Sequence, residues 1–225
     1  MLRHDIVHGQ PNAPIVILLH GRGADRRDLL SLEPHLPDGW TLVAPDAPFP
    51  AAPWGYGPGW AWYRFLGRNK PEPESFEASI SALDVFLDGL PDLLVGFTGP
   101  VVLGGFSQGG TVSMGWALAK AKGLLDGEPQ RLRPSMIVNL SGFLADHPWT
   151  SPDAGLLRDV RLFWGHGTRD ANIPFDLARE GRAAVAQTGV QLDAHDYDIG
   201  HWIDGQELQD LIAWIQTATT PLPTS

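Results

Sequence analysis

The chain alternates short apolar runs with longer amphipathic stretches, and this alternation limits its fold more than any other feature. The run IVILL at Ile15–Leu19 is uniformly apolar, as expected of a strand that is buried on both faces. In Ser75–Leu94, by contrast, apolar residues such as Phe76 and Ile80 recur every three or four positions, which is the spacing of one helix face. Strands that alternate with helices favour a mainly parallel central sheet with helices on both faces, an α/β fold.

The same two patterns recur along the 225 residues without an internal repeat or a long linker. Further strands are predicted at Thr41–Ala44, Val101–Gly104, Met136–Leu140, Val160–Trp164 and Val190–Tyr197. Further helices are predicted at Asp25–Leu36, Ser107–Lys122, Phe175–Thr188 and Asp204–Thr217. A single domain over residues 1–225 accommodates all of them. The turn-rich stretch Gly123–Pro134 is predicted to be a connection, and the Thr/Pro-rich residues 217–225 a loose tail.

Composition excludes several classes of function. The chain has no cysteine, so disulfides, thiolate metal sites, iron–sulfur clusters and a cysteine nucleophile are excluded. Its 16 Lys and Arg residues against 26 Asp and Glu residues give a net charge of −10, which disfavours binding to nucleic acid or to anionic membranes. Met1–Gln10 lacks the apolar segment of a secretory signal, and Ile15–Leu19 is too short to span a bilayer. We therefore expect a cytoplasmic protein without a membrane span.

A nucleophile motif lies between a predicted strand and a predicted helix. The segment Gly105-Phe106-Ser107-Gln108-Gly109 has the pattern G-x-S-x-G, and it directly follows the apolar run Val101–Gly104. In such a strand–turn–helix the serine has a strained backbone and its hydroxyl is presented at the edge of the sheet. Glycine on either side of the serine avoids clashes across the tight turn. The sequence therefore predicts Ser107 as a nucleophile.

A serine nucleophile needs a basic histidine and an acid that orients it, and in enzymes with this motif both follow the serine, the acid first. Asp170 comes directly after a predicted strand, and His201 lies in the loop between the last strand and the last helix. We predict Asp170 as the acid and His201 as the base. His166 precedes the acid and His195 lies within a strand, so both fit the order or the position less well.

Three other carboxylates follow the serine, at Asp176, Asp196 and Asp198. Asp176 is expected to cap a helix. Asp196 and Asp198 are close to His201 in sequence, and neither lies on a loop at the end of a different strand.

An acyl-transfer site also needs backbone N–H groups for the oxyanion. One is expected from Gln108, and the second from the glycine-containing loop after IVILL, at the backbone of Arg22 rather than its side chain. His20, in the same loop, is predicted to pack structurally.

The segments LLHGRGAD, GGFSQGGTVSM, GTRDANIP and IGHWI, in that order, resemble the phospholipase/carboxylesterase family of α/β-hydrolases. That family includes bacterial carboxylesterases and the acyl-protein thioesterases. The resemblance extends over residues 15–215, and GWAWYRF at Gly59–Phe65 is similar to the tryptophan-containing segment of the family. It implies an α/β-hydrolase fold and an esterase that needs no metal or organic cofactor. The site residues that it implies are Ser107, Asp170, His201, Arg22 and Gln108. Trp202 departs from the family, many members of which have a smaller residue after the histidine.

The predicted substrate is a small-molecule carboxylic ester with a short or medium acyl chain, because the chain is rich in aromatic residues that could form an apolar pocket. The residues predicted to bind it are Trp54, Trp60, Trp62, Tyr63, Phe143 and Trp202. The stretch Pro45–Trp60 has five prolines and three glycines, and it is either a rigid surface loop or an aromatic wall over the pocket. An acyl-protein thioesterase or a lysophospholipase would use the same triad, and a non-catalytic receptor is a further alternative. A homodimer is kept as one option for the assembly.

Overall fold

A seven-stranded sheet forms the centre of the structure, a computed structural model that describes residues 1–125 and 132–219. In chain order the strands are β1 (His4–Val7), β2 (Ile15–Leu19), β3 (Thr41–Pro45), β4 (Val101–Phe106), β5 (Met136–Leu140), β6 (Arg161–Gly167) and β7 (Gln191–Tyr197). Their order in the sheet is β1-β3-β2-β4-β5-β6-β7. Only β1, which the sequence patterns did not predict, runs antiparallel to its neighbour; the other described pairs are parallel.

In the part of the chain that the structure describes, six α-helices accompany this sheet. They are α1 (Arg26–Leu30), α2 (Pro73–Asp88), α3 (Leu90–Leu93), α4 (Gln108–Ala121), α5 (Phe175–Ala186) and α6 (Gly205–Thr219). Successive residues of β2 belong to different apolar clusters: Ile15 and Ile17 pack with residues of α2, α4 and α5, whereas Val16 and Leu18 pack with residues of α1 and α6. Both faces of the sheet are therefore covered, and the predicted α/β fold with a mainly parallel central sheet is confirmed.

The remaining short elements of residues 1–125 and 132–219 are three 3-10 turns and two small antiparallel pairs. The turns lie at Glu33–His35, Ala52–Trp54 and Pro148–Thr150. The pairs join Phe49–Pro50 to Trp60–Ala61 and Phe65–Gly67 to Lys70–Pro71. Both pairs lie in the segment between β3 and α2 and are separate from the central sheet.

Several predicted boundaries were wrong for local reasons. The helix expected at Asp25–Leu36 ends at Leu30, and the chain then forms a 3-10 turn that contains Pro34, which cannot donate a backbone hydrogen bond. The helix expected at Ser75–Leu94 is divided at Gly89 into α2 and α3. Residues 217–219 extend α6 instead of starting a tail, and residues 220–225 lie outside the described part. Of the expected connection Gly123–Pro134, residues 126–131 also lie outside it.

The loops that carry the predicted site residues meet at one edge of the sheet. Because β2, β4, β6 and β7 are parallel, the segments that follow them emerge on the same side. These segments contain Arg22, Ser107, Asp170 and His201, respectively. Within the residues described, no helix is both long enough and apolar enough to cross a membrane.

Candidate active site

Ser107 occupies a tight turn between β4 and α4. Its backbone has φ 54° and ψ −114°, a conformation that few residues other than glycine adopt, and its N–H donates to the carbonyl of Leu140 at 2.8 Å. The turn passes so close to β2 that a Cβ atom on Gly105 or Gly109 would overlap the carbonyl oxygen of Leu19. The G-x-S-x-G pattern thus has a steric cause, and it presents the serine side chain at the sheet edge.

A continuous chain of hydrogen bonds joins three of the predicted residues. The Nε2 atom of His201 lies 3.0 Å from the Oγ atom of Ser107, and its Nδ1 atom lies 2.6 Å from the Oδ2 atom of Asp170. The ring of His201 also packs against the ring of Phe106, with 4.7 Å between the centroids. The structure therefore brings together, from three separate loops, the serine, histidine and aspartate that the sequence analysis selected.

The environment of Asp170 favours its charged form. Burial acts to raise the pKa of this carboxyl, but the hydrogen bonds from His201 and from the backbone N–H groups of Ile173 and Asn172 hold the pKa below its ordinary value. Both backbone groups donate to Oδ1 at 2.8 Å, which leaves Oδ2 for His201. Asp170 is therefore a carboxylate at neutral pH, fixed in orientation by its own loop.

The loops of the acid and the histidine are also joined by their backbones. The N–H of Thr168 donates to the carbonyl of Tyr197 at 2.8 Å, and the N–H of Arg169 donates to the carbonyl of Ile199 at 3.0 Å. A Cβ atom on Gly167 would overlap the carbonyl oxygen of Gly200, so the two segments run in direct backbone contact. This pairing fixes the distance between Asp170 and His201.

Two of the three competing carboxylates are paired with arginines. Asp196 pairs with Arg182, and Asp198 pairs with Arg169 at 2.8 Å. Asp176 lies in the first turn of α5, but it is not the capping residue that we expected: the position before the helix is Pro174 and the cap has no side-chain hydrogen bond. None of these three carboxylates is within hydrogen-bonding distance of His201 in the part of the chain described here.

The other histidines considered are held by structural contacts. The Nε2 atom of His20 accepts the backbone N–H of Ala47 at 3.0 Å, and burial lowers the pKa of His20. His195 stacks on Phe163, with 4.8 Å between the ring centroids. His166 is fully buried at the end of β6, where its Nε2 atom lies 2.9 Å from the carbonyl oxygen of Ile173.

Two backbone N–H groups are available beside Ser107. Arg22 and Gln108 line the same cavity as the serine, and among the described residues neither backbone N–H donates a hydrogen bond to another group. The loop of Arg22 is fixed because Gly23 donates to the carbonyl of Trp60 and Trp60 donates to the carbonyl of Ala24, both at 2.8 Å. Gln108 begins α4, so its N–H also carries the positive end of the helix dipole.

The side chain of Gln108 has a role that the sequence analysis missed. Its Oε1 atom accepts the backbone N–H of Trp62 at 3.0 Å, and its Nε2 atom donates to the carbonyl of Tyr63 at 2.8 Å. The amide is buried, so both hydrogen bonds are protected from water. The nucleophile turn thereby holds the segment that carries one wall of the cavity. A glutamine at this position of the motif is the only signal for it in the sequence.

A cavity of about 310 Å³ opens onto Ser107 and His201. Its apolar lining residues are Tyr63, Phe65, Phe106, Phe143 and Ile173. Its polar lining residues include Arg22, Asp28 and Asn172. Tyr63 and Phe143 were predicted from the sequence to lie here, whereas Phe106, Ile173, Asn172 and Asp28 were not. Phe106 precedes the nucleophile, and the asparagine and isoleucine follow the acid, so proximity to those motifs was the available signal.

The four tryptophans predicted to bind substrate lie outside the cavity, and we correct that prediction. Trp62 is fully buried, and its indole N–H donates to the carbonyl of His20 at 2.9 Å. Trp54 packs against Phe49, with 5.2 Å between the ring centroids. Trp60 packs, partly buried, against the core. None of these three tryptophans is among the residues that line the cavity.

Trp202 also points elsewhere. It is 55% exposed, and its ring folds back over the backbone of Gly200, where an added Cβ atom would meet it. The stretch Pro45–Trp60 contributes no residue to the described lining of the cavity, which favours its interpretation as a rigid surface loop. Within residues 1–125 and 132–219, no group of three or more His, Asp or Glu side chains is arranged to hold a metal ion.

Comparison with known proteins agrees with this architecture. A family model described as Phospholipase/Carboxylesterase matches residues 5–219. The acyl-protein thioesterase 2 of Zea mays is 23% identical and has a TM-score of 0.77, with 98% of this chain and 100% of that chain covered. Esterase PE8 is 24% identical, with a TM-score of 0.74 and coverage of 96% and 98%. The carboxylesterase of Bacillus cereus is 18% identical, with a TM-score of 0.75 and coverage of 97% and 95%.

Proposed function

Because the chain belongs to the phospholipase/carboxylesterase family, whose members are esterase-type hydrolases, we propose that it cleaves carboxylic esters through an acyl-enzyme on Ser107. The observation that carries the proposal is the chain of hydrogen bonds from Ser107 through His201 to Asp170, at 3.0 Å and 2.6 Å. This arrangement supplies the nucleophile, general base and orienting acid that acyl transfer requires.

The reaction proceeds in two halves. The Oγ atom of Ser107 attacks the acyl carbonyl while Nε2 of His201 takes its proton, and the tetrahedral intermediate collapses as His201 returns that proton to the leaving alcohol. Water then attacks the acyl-enzyme, with His201 accepting its proton and donating it to Ser107, which releases the carboxylic acid. Asp170 keeps the proton of His201 on Nδ1 and stabilises the imidazolium that forms in each half.

The oxyanion is stabilised by the backbone N–H groups of Arg22 and Gln108. Both residues line the cavity that contains Ser107, and neither N–H has an acceptor among the described residues, so no hydrogen bond has to break when the oxyanion forms. The side-chain amide of Gln108 is occupied by Trp62 and Tyr63 and leaves only its backbone N–H for this purpose.

The cavity supports a small-molecule ester of a short or medium acyl chain. Its volume of about 310 Å³ and its wall of Tyr63, Phe65, Phe143 and Ile173 suit an apolar acyl group. Thioesters use the same chemistry, and one protein of the same fold is an acyl-protein thioesterase. Thioesterase and lysophospholipase activity are therefore the alternatives.

Labelling with a fluorophosphonate probe tests the proposal. We expect one adduct per chain on Ser107 by mass spectrometry of the digested protein, and none in Ser107→Ala. Absence of an adduct in the wild type would contradict the proposal and favour a non-catalytic receptor. A series of p-nitrophenyl esters and matched thioesters of increasing chain length then identifies the substrate class, because an apolar pocket of fixed size discriminates between chain lengths.

A further inference from the structure

A second histidine approaches the carboxylate of Asp170. His166, the last residue but one of β6, is fully buried. Its Nε2 atom lies 2.9 Å from the carbonyl oxygen of Ile173 and 3.6 Å from the Oδ2 atom of Asp170, the oxygen that also accepts from His201. The mechanism described above makes no use of this histidine.

The contacts of His166 define its protonation state. A carbonyl oxygen can only accept, so the hydrogen of the ring is on Nε2. The Nδ1 atom has no hydrogen-bond partner in the described part of the chain, as expected of a nitrogen without a hydrogen. Burial lowers the pKa of His166; Ile173 and Asp170 act to raise it, and the charges of Arg182 and His201 act in the same direction as burial. The ring is therefore neutral at pH 7.

The partner of His166 is part of the turn that orients the acid. The N–H of Ile173 donates to the Oδ1 atom of Asp170 at 2.8 Å, and the carbonyl of the same residue receives the hydrogen of His166. Ile173 is thus held at both of its backbone polar groups, while its side chain forms part of the cavity wall. Residues 170–173 form a closed turn that joins the acid to two residues of the cavity lining, Asn172 and Ile173.

We propose that His166 is a positioning residue for the hydrolysis proposed above: it holds the turn 170–173 so that Asp170 meets His201 and Ile173 faces the acyl group. The inference rests on that proposed function. A neutral donor suits this position, because a lysine or arginine would form an ion pair with Asp170 and reduce the negative charge that stabilises the imidazolium of His201. A side chain that only packs, such as leucine, would leave the carbonyl of Ile173 buried and unpaired.

Two substitutions separate positioning from packing. His166→Leu keeps an apolar side chain in the buried site but removes the donor, whereas His166→Gln places an amide N–H near the position of Nε2. For His166→Leu we expect kcat on p-nitrophenyl butyrate to fall about 10- to 100-fold, with a smaller change in KM. The reason is that the carboxylate of Asp170 would move by up to about 1 Å from its position beside His201. The acidic limb of the kcat/KM profile should also move to lower pH. His166→Gln should recover most of both properties.

A matched control is His147→Leu, which removes another buried histidine that lies outside the cavity and contacts Glu77 at 3.2 Å. This variant should lower the melting temperature without moving the pH profile. The proposal is overturned if His166→Leu stays within about twofold of the wild-type kcat/KM, or if the Leu and Gln variants lose the same activity.

The wild-type protein provides a test that does not depend on the folding of a variant. Nitrogen-15 NMR of the imidazole rings should show His166 neutral, with its hydrogen on Nε2, at pH 7. A charged ring, or a hydrogen on Nδ1, would overturn the proposal. Labelling of Ser107 by the fluorophosphonate probe separates the two hypotheses: an unlabelled wild type contradicts the proposed function, whereas a labelled wild type with an unaffected His166→Leu variant contradicts only the role of His166.

Discussion

The Oε1 atom of Gln108 lies 3.0 Å from the backbone nitrogen of Trp62 and accepts its hydrogen. The same amide donates to the carbonyl of Tyr63, so one side chain satisfies two neighbouring peptide groups in a buried site. The backbone of Gln108 and its side chain therefore have separate tasks. The first is proposed to bind the oxyanion, and the second fixes the segment that contributes Tyr63 and Phe65 to the cavity.

Replacement of Gln108 by leucine should destabilise the protein while leaving the backbone N–H in place. The variant leaves the N–H of Trp62 and the carbonyl of Tyr63 without their partner, which costs about 1–3 kcal/mol for each buried unpaired group. Urea unfolding measures the effect. The control is Gln206→Leu on α6, whose side chain is exposed and donates to Asp210. Equal stability of the Gln108 variant and the control would contradict this account.

Substitution of Ser107 and substitution of Arg22 should lower the activity to very different extents. Ser107→Ala should lower turnover of p-nitrophenyl butyrate by about 10⁶-fold, as removal of a serine nucleophile does elsewhere. Arg22→Ala retains the backbone N–H and removes a guanidinium that lies 4.7 Å from the ring centre of Tyr56, so its loss should be less than about 10²-fold. Comparable losses in steady-state kinetics would indicate that the arginine side chain itself participates.

Phe65 lines the cavity and should influence which acyl chain length the enzyme prefers. Phe65→Ala enlarges the cavity and should change the preference for longer over shorter acyl chains by about tenfold. Trp202→Ala removes an exposed ring outside the cavity and should leave the ratio unchanged. The ratio of kcat/KM for p-nitrophenyl octanoate and butyrate measures both. A shift in the tryptophan variant alone would show that its ring reaches the acyl group.

The close contact between the nucleophile turn and β2 makes Gly109 intolerant of a side chain. A Cβ atom there would overlap the carbonyl oxygen and Cβ atom of Leu19, so Gly109→Ala should destabilise the protein by about 3 kcal/mol or more. Gly205→Ala is the matched control, because its Cβ atom would meet nothing within 4 Å and alanine favours a helix. Melting temperatures distinguish them; a folded Gly109→Ala of wild-type stability would refute the steric explanation of the motif.

The stability of the protein should depend on the charge of Glu207. Its side chain is fully buried in α6 without a hydrogen-bond partner among the described residues. Burial raises the pKa of this carboxyl from 4.5 to about 8. The negative charges of Asp204 and Asp210 also raise it, whereas the positive charge of Arg182 lowers it. The folded state therefore keeps a proton that the unfolded chain loses above its own pKa.

The protonated side chain of Glu207 contributes fully to stability below the pKa that this residue has in the unfolded chain. This contribution is lost as the pH rises through the folded-state pKa of about 8. Glu207→Gln cannot ionise and should escape the decrease. We expect the melting temperature of the glutamine variant, relative to that of the wild type, to rise between about pH 5 and pH 8 and to level off above this range. A difference that stays constant over this range would show that Glu207 ionises normally in the folded protein.

The alternation of patterns was enough to predict six strands of the sheet and its parallel character. A strand that is buried on both faces has consecutive apolar residues, as in Ile15–Leu19. The short strand His4–Val7 was missed since only its pairing with β3 makes it a strand. The turn at Ser107 was predictable for a similar local reason: glycine is required where backbone meets backbone.

The sequence by itself thus determined how strands and helices follow one another along the chain, and it determined the position of the serine. Both depend on residues that are close along the chain. The tertiary structure decided that Asp170 and His201 meet, that the side chain of Gln108 supports the segment at Trp62, and that the ring of Trp62 belongs to the core while that of Phe65 lines the cavity. An aromatic side chain is equally apolar in a core and in a pocket, so only the packing of distant segments can distinguish the two.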